Sequence, residues 1–463
     1  MTRPAWTFAI TAVALFMVVL DNLVVTTALP SIREDLGATI QSLEWTVNAY
    51  TLSYAVLLLT GAALGDRFGR RRMFLVGLSV FTLASAAAAL APTTAALIGA
   101  RAVQGVGAAI VTPLTLTLLA EAFPAERRGL AIGAWSGITG LGVALGPLVG
   151  GAVVDGISWQ WIFWLNVPIG IALLPLAARR LTESRGPNRA LDLPGLGLAG
   201  AGLLGVVYGI VRGAELGWTS PTVLSALIAG TALIAAFLLW ERRSPEPMLP
   251  LRFFGSRAFS AVNGVSFAMY FGVFGSIFLL AQFFQVVQGY SPLEAGLRTL
   301  PWTGMPMLIA PIAGVLSDRI GSRPLMATGL ALQAVAIGWL ASVSTPTVPY
   351  GQLVAPFVMA GVGMALVFAP AANAVLRAVR PREAGQASGA TNAIRELGGV
   401  LGVAVLATVF AHSGSYASPQ AYTDGMTSAI WVGAAVLAVG AILALLVPRQ
   451  AAPTAAPALA SAG

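Results

Sequence analysis

The sequence predicts an all-α integral membrane protein of fourteen spanning helices, and three observations carry that expectation. Apolar residues make up 57% of the 463 positions and charged residues 10%, where a soluble domain carries about a quarter charged. The apolar residues gather into fourteen runs close to the ~20 residues that a helix needs to cross a bilayer. The segments between runs alternate between arginine-rich and arginine-poor.

The runs lie at about 7–30, 45–64, 73–91, 96–120, 129–153, 160–178, 192–211, 222–240, 259–285, 293–316, 325–343, 350–376, 386–410 and 427–447, each bounded by charge, Pro or Gly. In lipid every backbone polar group must find a partner inside the segment or in a closed barrel. A barrel would show short alternating strands, so the runs read as a helical bundle. The first, from about Trp6 to Pro30, is longer than the apolar core of a signal peptide and shows no cleavage pattern, so it is expected to be retained as a span.

Charge sets the expected orientation. All 26 basic residues are arginine, giving a formal charge of +8. They sit in short clusters between apolar runs, which fits the positive-inside rule and not one nucleic-acid-binding patch. With the N-terminus inside, the inner segments hold 21 arginines and the outer loops 2, Arg33 and Arg212. Both termini are therefore expected in the cytoplasm of a bacterial plasma membrane. The composition also excludes chemistries. There is no cysteine, and a single histidine, His412, makes a histidine-built metal or catalytic centre improbable. Without lysine no Gly-x-x-x-x-Gly-Lys-[Ser/Thr] phosphate loop can exist, and no acid, base or nucleophile constellation is evident. No enzyme activity, cofactor or metal is expected.

One repeat divides the chain. Asp66-Arg67-Phe68-Gly69-Arg70-Arg71 closes the second run and Asp318-Arg319-Ile320-Gly321-Ser322-Arg323 closes the tenth. Two directly joined six-span halves would place the second copy after the eighth run, so two spans must be inserted between the halves. The expected organisation is an N-terminal half at 1–181, two inserted spans with flanking loops at 182–257, a C-terminal half at 258–448, and a disordered, Ala/Pro-rich cytoplasmic tail at 449–463.

Four local patterns recur at definite spans: Leu20-Asp21-Asn22-Leu23-Val24-Val25-Thr26-Thr27-Ala28-Leu29-Pro30 in the first, Arg101-Ala102-Val103-Gln104-Gly105-Val106-Gly107 in the fourth, Gly142-Val143-Ala144-Leu145-Gly146-Pro147-Leu148-Val149-Gly150-Gly151 in the fifth, and the Asp66 and Asp318 loops. In this order they resemble the major facilitator superfamily, and within it the fourteen-span drug:proton antiporters, over essentially the whole chain before the tail. The resemblance implies two six-helix halves that rock about a central cavity and export hydrophobic or amphipathic molecules against protons. The alternative is a dedicated exporter of one endogenous metabolite or self-made antibiotic.

An ionised carboxylate in hydrocarbon costs several kcal/mol, so Asp21 is expected to face a cavity or a partner. A carboxyl withdrawn from water holds a proton more readily, which is what a reversible proton carrier needs. Helical rise places Asp21 roughly 9 Å and Arg101 about 8 Å from the outer side of the core, so the two are level. The resemblance implies that they pair and that protonation switches the pair. The alternatives are a permanent brace for Asp21 and, for Arg101, a side chain snorkelling to the headgroups.

In the fifth span, small residues four apart permit close helix approach, and Pro147 beside Gly146 removes a backbone bond; the resemblance makes these a gating element, the alternative being ordinary packing. It also makes Asp66, Arg67, Arg70, Asp318 and Arg319 a cytoplasmic latch, in which the Asp caps a helix N-terminus and pairs with arginines across the halves. Here the leading glycine expected four before Asp66 is Ala62, whereas the second copy has Gly314 in register. The alternative is a solvated, topogenic loop.

The thirteenth span departs from the family's Arg-Gln-Leu-Gly-Gly, reading Arg395-Glu396-Leu397-Gly398-Gly399. At about 15 Å depth Glu396 lies near the midplane. Neighbouring helical side chains point about 100° apart, so Arg395 neutralises it only in part, and a locally paired structural charge is the alternative. Asp21, Arg101 and Glu396 are thus the proton-coupling candidates. Asn48, Tyr50, Gln104, Tyr270, Gln282, Asn392 and Arg395 are the expected polar contacts of a mostly apolar cavity for hydrophobic or cationic substrates. The aromatic run at Trp159–Trp164 is expected to form an interfacial belt, and the protein is expected to act as a monomer.

Overall fold

The computed structural model describes residues 3–124, 138, 141–142, 145–185, 192–380 and 384–448, without the side chains of Leu59, Ala120, Ala214, Glu215, Asp318, Leu376, Ser388 and residues 384–386. Helices follow in the order α1 (Arg3–Leu36), α2 (Ile40–Phe68), α3 (Arg70–Ala89), α4 (Thr94–Ala122), α5 (Leu145–Gly156), α6 (Trp161–Trp164), α7 (Asn166–Arg180), α8 (Leu193–Leu216) and α9 (Pro221–Arg243). They continue as α10 (Arg257–Gln282), α11 (Pro292–Thr303), α12 (Met305–Ile320), α13 (Ser322–Val343), α14 (Tyr350–Arg377), α15 (Ala384–Ser413) and α16 (Pro419–Leu445). Among the described residues there is no β-strand.

Among the described residues, twelve helices are long and apolar enough to cross a membrane, and α2 makes thirteen when its two pieces, Ile40–Leu58 and Thr60–Phe68, count as one. The pairs α6–α7 and α11–α12 each form a single span, Trp161–Arg180 and Pro292–Ser317. The fifth expected run falls largely outside the described residues, and α5 is its described end. The expected tail at 449–463 also lies outside them.

The helices outlast the apolar runs. α1 has 34 residues, about 51 Å at 1.5 Å per residue, against a hydrocarbon core of about 30 Å, so its ends stand in the headgroup region and carry Arg3, Arg33, Glu34 and Asp35. Local chemistry sets several starts. The side chains of Thr39 and Thr93 accept from the backbone N–H of Ser42 and Ala96, and Ser291 with Glu294 forms a capping box at α11. The repeated Asp-Arg loops share one backbone device. Gly69 and Gly321, at φ 108° and 85°, turn the chain between α2 and α3 and between α12 and α13, a conformation that disfavours any residue with a Cβ.

The N-terminal helices α1, α3, α4 and α7 share a core built on Ile10, Phe74, Leu78, Phe81, Val111 and Leu173. α2 packs on α15 of the C-terminal part, and α8 covers that seam through Val207 and Val211 against Leu52, Val400 and Ala404. The Thr408 hydroxyl donates to the Ile210 carbonyl at 3.2 Å. α9 touches α8 where Gly202, Gly205 and Gly230 let the backbones approach, and it turns Leu224, Ile228, Leu238 and Leu239 outward. Large apolar side chains on the rim with polar ones inside is the arrangement expected where lipid is the solvent.

Between α1–α7 and α10–α16, direct bonds gather at the end where α1 finishes. Gln285, in the π-helical continuation of α10 at Phe283–Val287, donates to the Thr27 carbonyl at 2.9 Å. The Arg33 guanidinium lies 3.6 Å from the centre of the Tyr416 ring. The glycines of the fifth-span pattern make this junction backbone to backbone. A Cβ on Gly151 would stand 2.3 Å from the Pro292 carbonyl oxygen, and one on Gly296 2.3 Å from the Pro147 carbonyl oxygen. Gly146 meets Leu23 of α1 equally closely, so the Gly146–Gly151 stretch is wedged between α1 and α11.

Such contact leaves no room for a side chain. Gly151→Val should force this end apart. Thr27 is 1% exposed, and a cysteine placed there in this cysteine-free chain should resist a water-soluble maleimide in the parent and react at least several-fold faster in the Gly151→Val background. Equal labelling in both would mean that the glycine contact does not hold the junction closed.

Candidate functional site

Asp21 sits on α1 at 1% exposure with its carboxylate fully engaged. Arg101 Nη1 of α4 donates to Oδ2 at 2.5 Å, while Gln104 Nε2 and Asn166 Nδ2 donate to Oδ1 at 2.8 and 2.7 Å. Gln104, one helical turn beyond Arg101, accepts from the same Nη1 at 2.6 Å and donates its second amide proton to Ser85 Oγ at 2.8 Å. Arg101 Nε donates to the Thr46 carbonyl at 3.2 Å. The guanidinium carbon lies 4.1 Å from the Tyr50 ring centre and 5.7 Å from that of Phe163. A buried charge is tolerated when paired and hydrogen-bonded on its remaining sites, and this cage of residues from α1 to α4, α6 and α7 meets that condition for the carboxylate.

The level placement deduced from helical rise is thus realised as a contact, and Arg101, at 0% exposure, does not snorkel. Gln104 and Tyr50, expected among the cavity contacts, are buried parts of the cage or its wall; the Tyr50 hydroxyl donates to the Val18 carbonyl at 3.2 Å. Sequence reasoning missed Asn166. It lies just after the aromatic run, the sixth residue of the span Trp161–Arg180, and an amide inside an apolar span is itself a signal. Trp159 of that run donates to Asp35 Oδ2 at 2.8 Å.

A second charged cluster lies on α15. Arg395 and Glu396 are partly exposed and form no ion pair with each other. Arg395 Nη1 reaches Asn392 Oδ1 at 3.4 Å, and its guanidinium carbon lies 6.0 Å from the ring centres of both Tyr270 and Phe368. Tyr270 stacks on Phe274 at 5.2 Å. Arg395 Nε and Nη2 and Glu396 Oε2 are buried without a hydrogen-bond partner. Glu396 also lies within electrostatic reach of Tyr50 and Tyr54 of α2 and of Tyr270 of α10.

The other expected cavity residues divide. Gln282 is fully buried at the closed end, where its side-chain oxygen accepts from the Tyr416 hydroxyl and its Nε2 donates to the Phe278 carbonyl at 2.9 Å. Asn48 is fully buried with both amide atoms unbonded. Glu44, which was not singled out, is a buried carboxyl on α2 whose Oε2 has no hydrogen-bond partner.

The latch residues correct one expectation. Asp66 Oδ1 accepts from Arg70 Nε and Nη2 at 2.9 and 2.8 Å, and Arg70 also donates to Glu121, which Ser184 holds from the far side. The carboxylate at the N-terminus of α3 belongs to Glu183, accepting from the backbone N–H of Arg71 and Arg72 at 3.0 and 3.2 Å, where the helix dipole favours an anion. Asp66 thus braces its own half, and Arg67 lies over the Phe68 ring at 5.3 Å. Among the described side chains, no pairing across the halves of the kind the resemblance implied is found for Asp66, Arg67, Arg70 or Arg319. Arg319 is exposed, and the Asp318 side chain lies outside the described residues.

Fold and cage together define a multi-pass helical membrane protein with a buried acid–arginine centre in its N-terminal helices. It belongs to the Major Facilitator Superfamily, whose sequence model matches residues 11–194, 193–403 and 264–462. The chain is 39% identical over 452 residues to a cephamycin export protein of Amycolatopsis lactamdurans, covering 94% of this chain and 91% of that one. It is 36% identical over 407 residues to a multidrug resistance protein of Mycobacterium tuberculosis, covering 88% and 75%. A crystal structure of an auto-inhibited POT family peptide transporter superposes with a TM-score of 0.68 over 98% of each chain at 18% identity, a likeness of fold.

If acid and arginine stabilise each other, losing one partner should cost more than losing both. Removing one member of a buried pair costs about 3–5 kcal/mol, so Arg101→Ala should unfold several degrees below the parent in detergent. Adding Asp21→Asn to that variant should recover part of the loss. A double variant no more stable than Arg101→Ala would show that the two are not energetically coupled.

Proposed function

We propose that the protein is a proton-coupled efflux transporter that exports hydrophobic or amphipathic drugs or antibiotics by alternating access. The Asp21–Arg101 cage carries this reading. A fully enclosed ion pair has two states of very different energy: ionised and paired, or protonated with the arginine released. The arginine keeps a partial solvation shell when the acid is neutral, through the Thr46 carbonyl, Gln104 and the faces of Tyr50 and Phe163. A buried pair worth a few kcal/mol can shift a conformational equilibrium more than a hundredfold when a proton breaks it.

In this reading the helices number fourteen, α8 and α9 are the inserted spans, and the arginine-rich end is cytoplasmic. The junction of Gly151, Gly296, Gln285 and Arg33 is then the outer gate, closed here, with the cytoplasmic side available to substrate. A proton entering from outside neutralises Asp21 and an exported molecule leaves. Glu396 serves as a second acidic site facing that molecule, and the stacked Tyr270 and Phe274 with Phe368 supply the apolar and aromatic surface that tolerates varied compounds.

Relatives named for multidrug resistance support a broad range of substrates. A relative named a cephamycin export protein favours the second reading, a dedicated exporter of one self-made compound. Both keep the same cage and the same coupling. A substrate panel in a pump-deficient strain separates them.

Inverted membrane vesicles energised by respiration should accumulate a fluorescent amphipathic cation and lose it when a protonophore is added. Accumulation that survives the protonophore would sink the proton-coupled reading.

The two acids should fail differently. Asp21→Asn should abolish coupling for every substrate, since an amide cannot cycle between charged and neutral states. Glu396→Gln should retain proton release on substrate addition and export of a neutral compound, while export of a cationic compound falls by tenfold or more. If Glu396→Gln stops the neutral compound and Asp21→Asn leaves it running, the two roles are the reverse of those proposed.

A further inference from the structure

The cluster on α15 presents two opposite charges that do not satisfy each other. Consecutive helical positions diverge by about 100°, and Arg395 has its own contacts on one side, so the two form no ion pair. Arg395 is drawn toward Asn392 and the ring faces of Tyr270 and Phe368, and Glu396 lies within electrostatic reach of Tyr54 on α2 and Tyr270 on α10. Two guanidinium nitrogens and one carboxylate oxygen remain buried with nothing bonded to them. A native structure rarely leaves such groups orphaned, because each then loses its hydration without replacement, and an unfilled ligand position is one physical reason for it.

Resting on the efflux reading, we propose that Arg395 and Glu396 form a dipolar substrate site that selects amphoteric molecules, carrying an ammonium and a carboxylate or phenolate on one aromatic frame. The anionic group of the ligand takes the free edge of Arg395, its ammonium takes Glu396, and its ring joins the Tyr270, Phe274 and Phe368 surface. A cation alone satisfies Glu396 and leaves the guanidinium edge orphaned; an anion alone does the reverse. A site built to bond a polar group discriminates strongly against the analogue that lacks it, since the protein group is then left buried and unpaired. Net charge near zero with both charges present is therefore the recognised property, and a merely cationic compound ranks second.

Four forms of one fluorescent aromatic amino acid test this: the free zwitterion, its methyl ester, its N-acetyl derivative and the doubly blocked compound. Binding is measured on the purified full chain in lipid nanodiscs, so the result does not depend on transport. The zwitterion should bind about ten- to a hundredfold more tightly than either singly charged form, the ratio expected when one charged hydrogen-bond partner is missing. Glu396→Gln should weaken the zwitterion to the level of the N-acetyl form and leave the N-acetyl form unchanged. Arg395→Gln should weaken the zwitterion to the level of the ester and leave the ester unchanged. Unaltered thermal unfolding checks that both variants are folded. A zwitterion bound no better than the ester or the doubly blocked compound, or none of the four bound, overturns the dipolar site. The efflux reading fails separately, on protonophore-insensitive vesicle accumulation.

Discussion

The constraint on which the structure turns is the cost of holding a carboxylate inside a protein that lipid surrounds. Asp21 has no water to turn to, so its charge must be answered by protein groups, and no single helix supplies enough of them. α1 brings the acid, α4 the arginine and the glutamine, the start of α7 an amide, and α2 a carbonyl and an aromatic wall. Satisfying one carboxylate therefore fixes the rotation and depth of four helices together. A change in that carboxylate's charge is felt by all four at once.

The same economy of polar groups explains the contrast between the two charged clusters. Around Asp21 every carboxylate oxygen is bonded and the residues are inaccessible, so protein groups take the place of all of its hydration. Around Arg395 and Glu396, orphaned atoms lie beside stacked aromatic rings and the side chains are partly exposed, which suits groups whose partner arrives from elsewhere. The small residues of α5 and α11 make a third kind of contact. With carbonyl oxygens where a Cβ would stand, the backbones meet there directly and no side chain cushions the contact.

The opposite end is organised by carboxylates outside the repeated loops. Glu183 occupies the N-terminus of α3 and Glu121 shares Arg70 with Asp66, so the N-terminal helices are clamped into one unit.

Much of this was determined by sequence alone. Run lengths and hydropathy indicated a helical membrane bundle, because the cost of unsatisfied backbone in lipid leaves no other structure for such segments, and twelve or thirteen of the fourteen expected spans stand among the described residues. The Asp-Arg repeat located two matching turns, each of which proves to need a glycine at positive φ. A rise of 1.5 Å per residue brought Asp21 and Arg101 to the same depth. Depth is a one-dimensional quantity, and linear sequence is sufficient for it. Rotation is not. Which face of a helix meets which neighbour follows from packing among helices far apart in the chain, and apolar periodicity is weak where both lipid and core are apolar. Only the tertiary structure decided that Asn166 and Gln104 close the cage, that Gln282 turns to Tyr416, that Glu183 and not Asp66 caps α3, and that Arg395 and Glu396, adjacent in sequence, form no ion pair with each other.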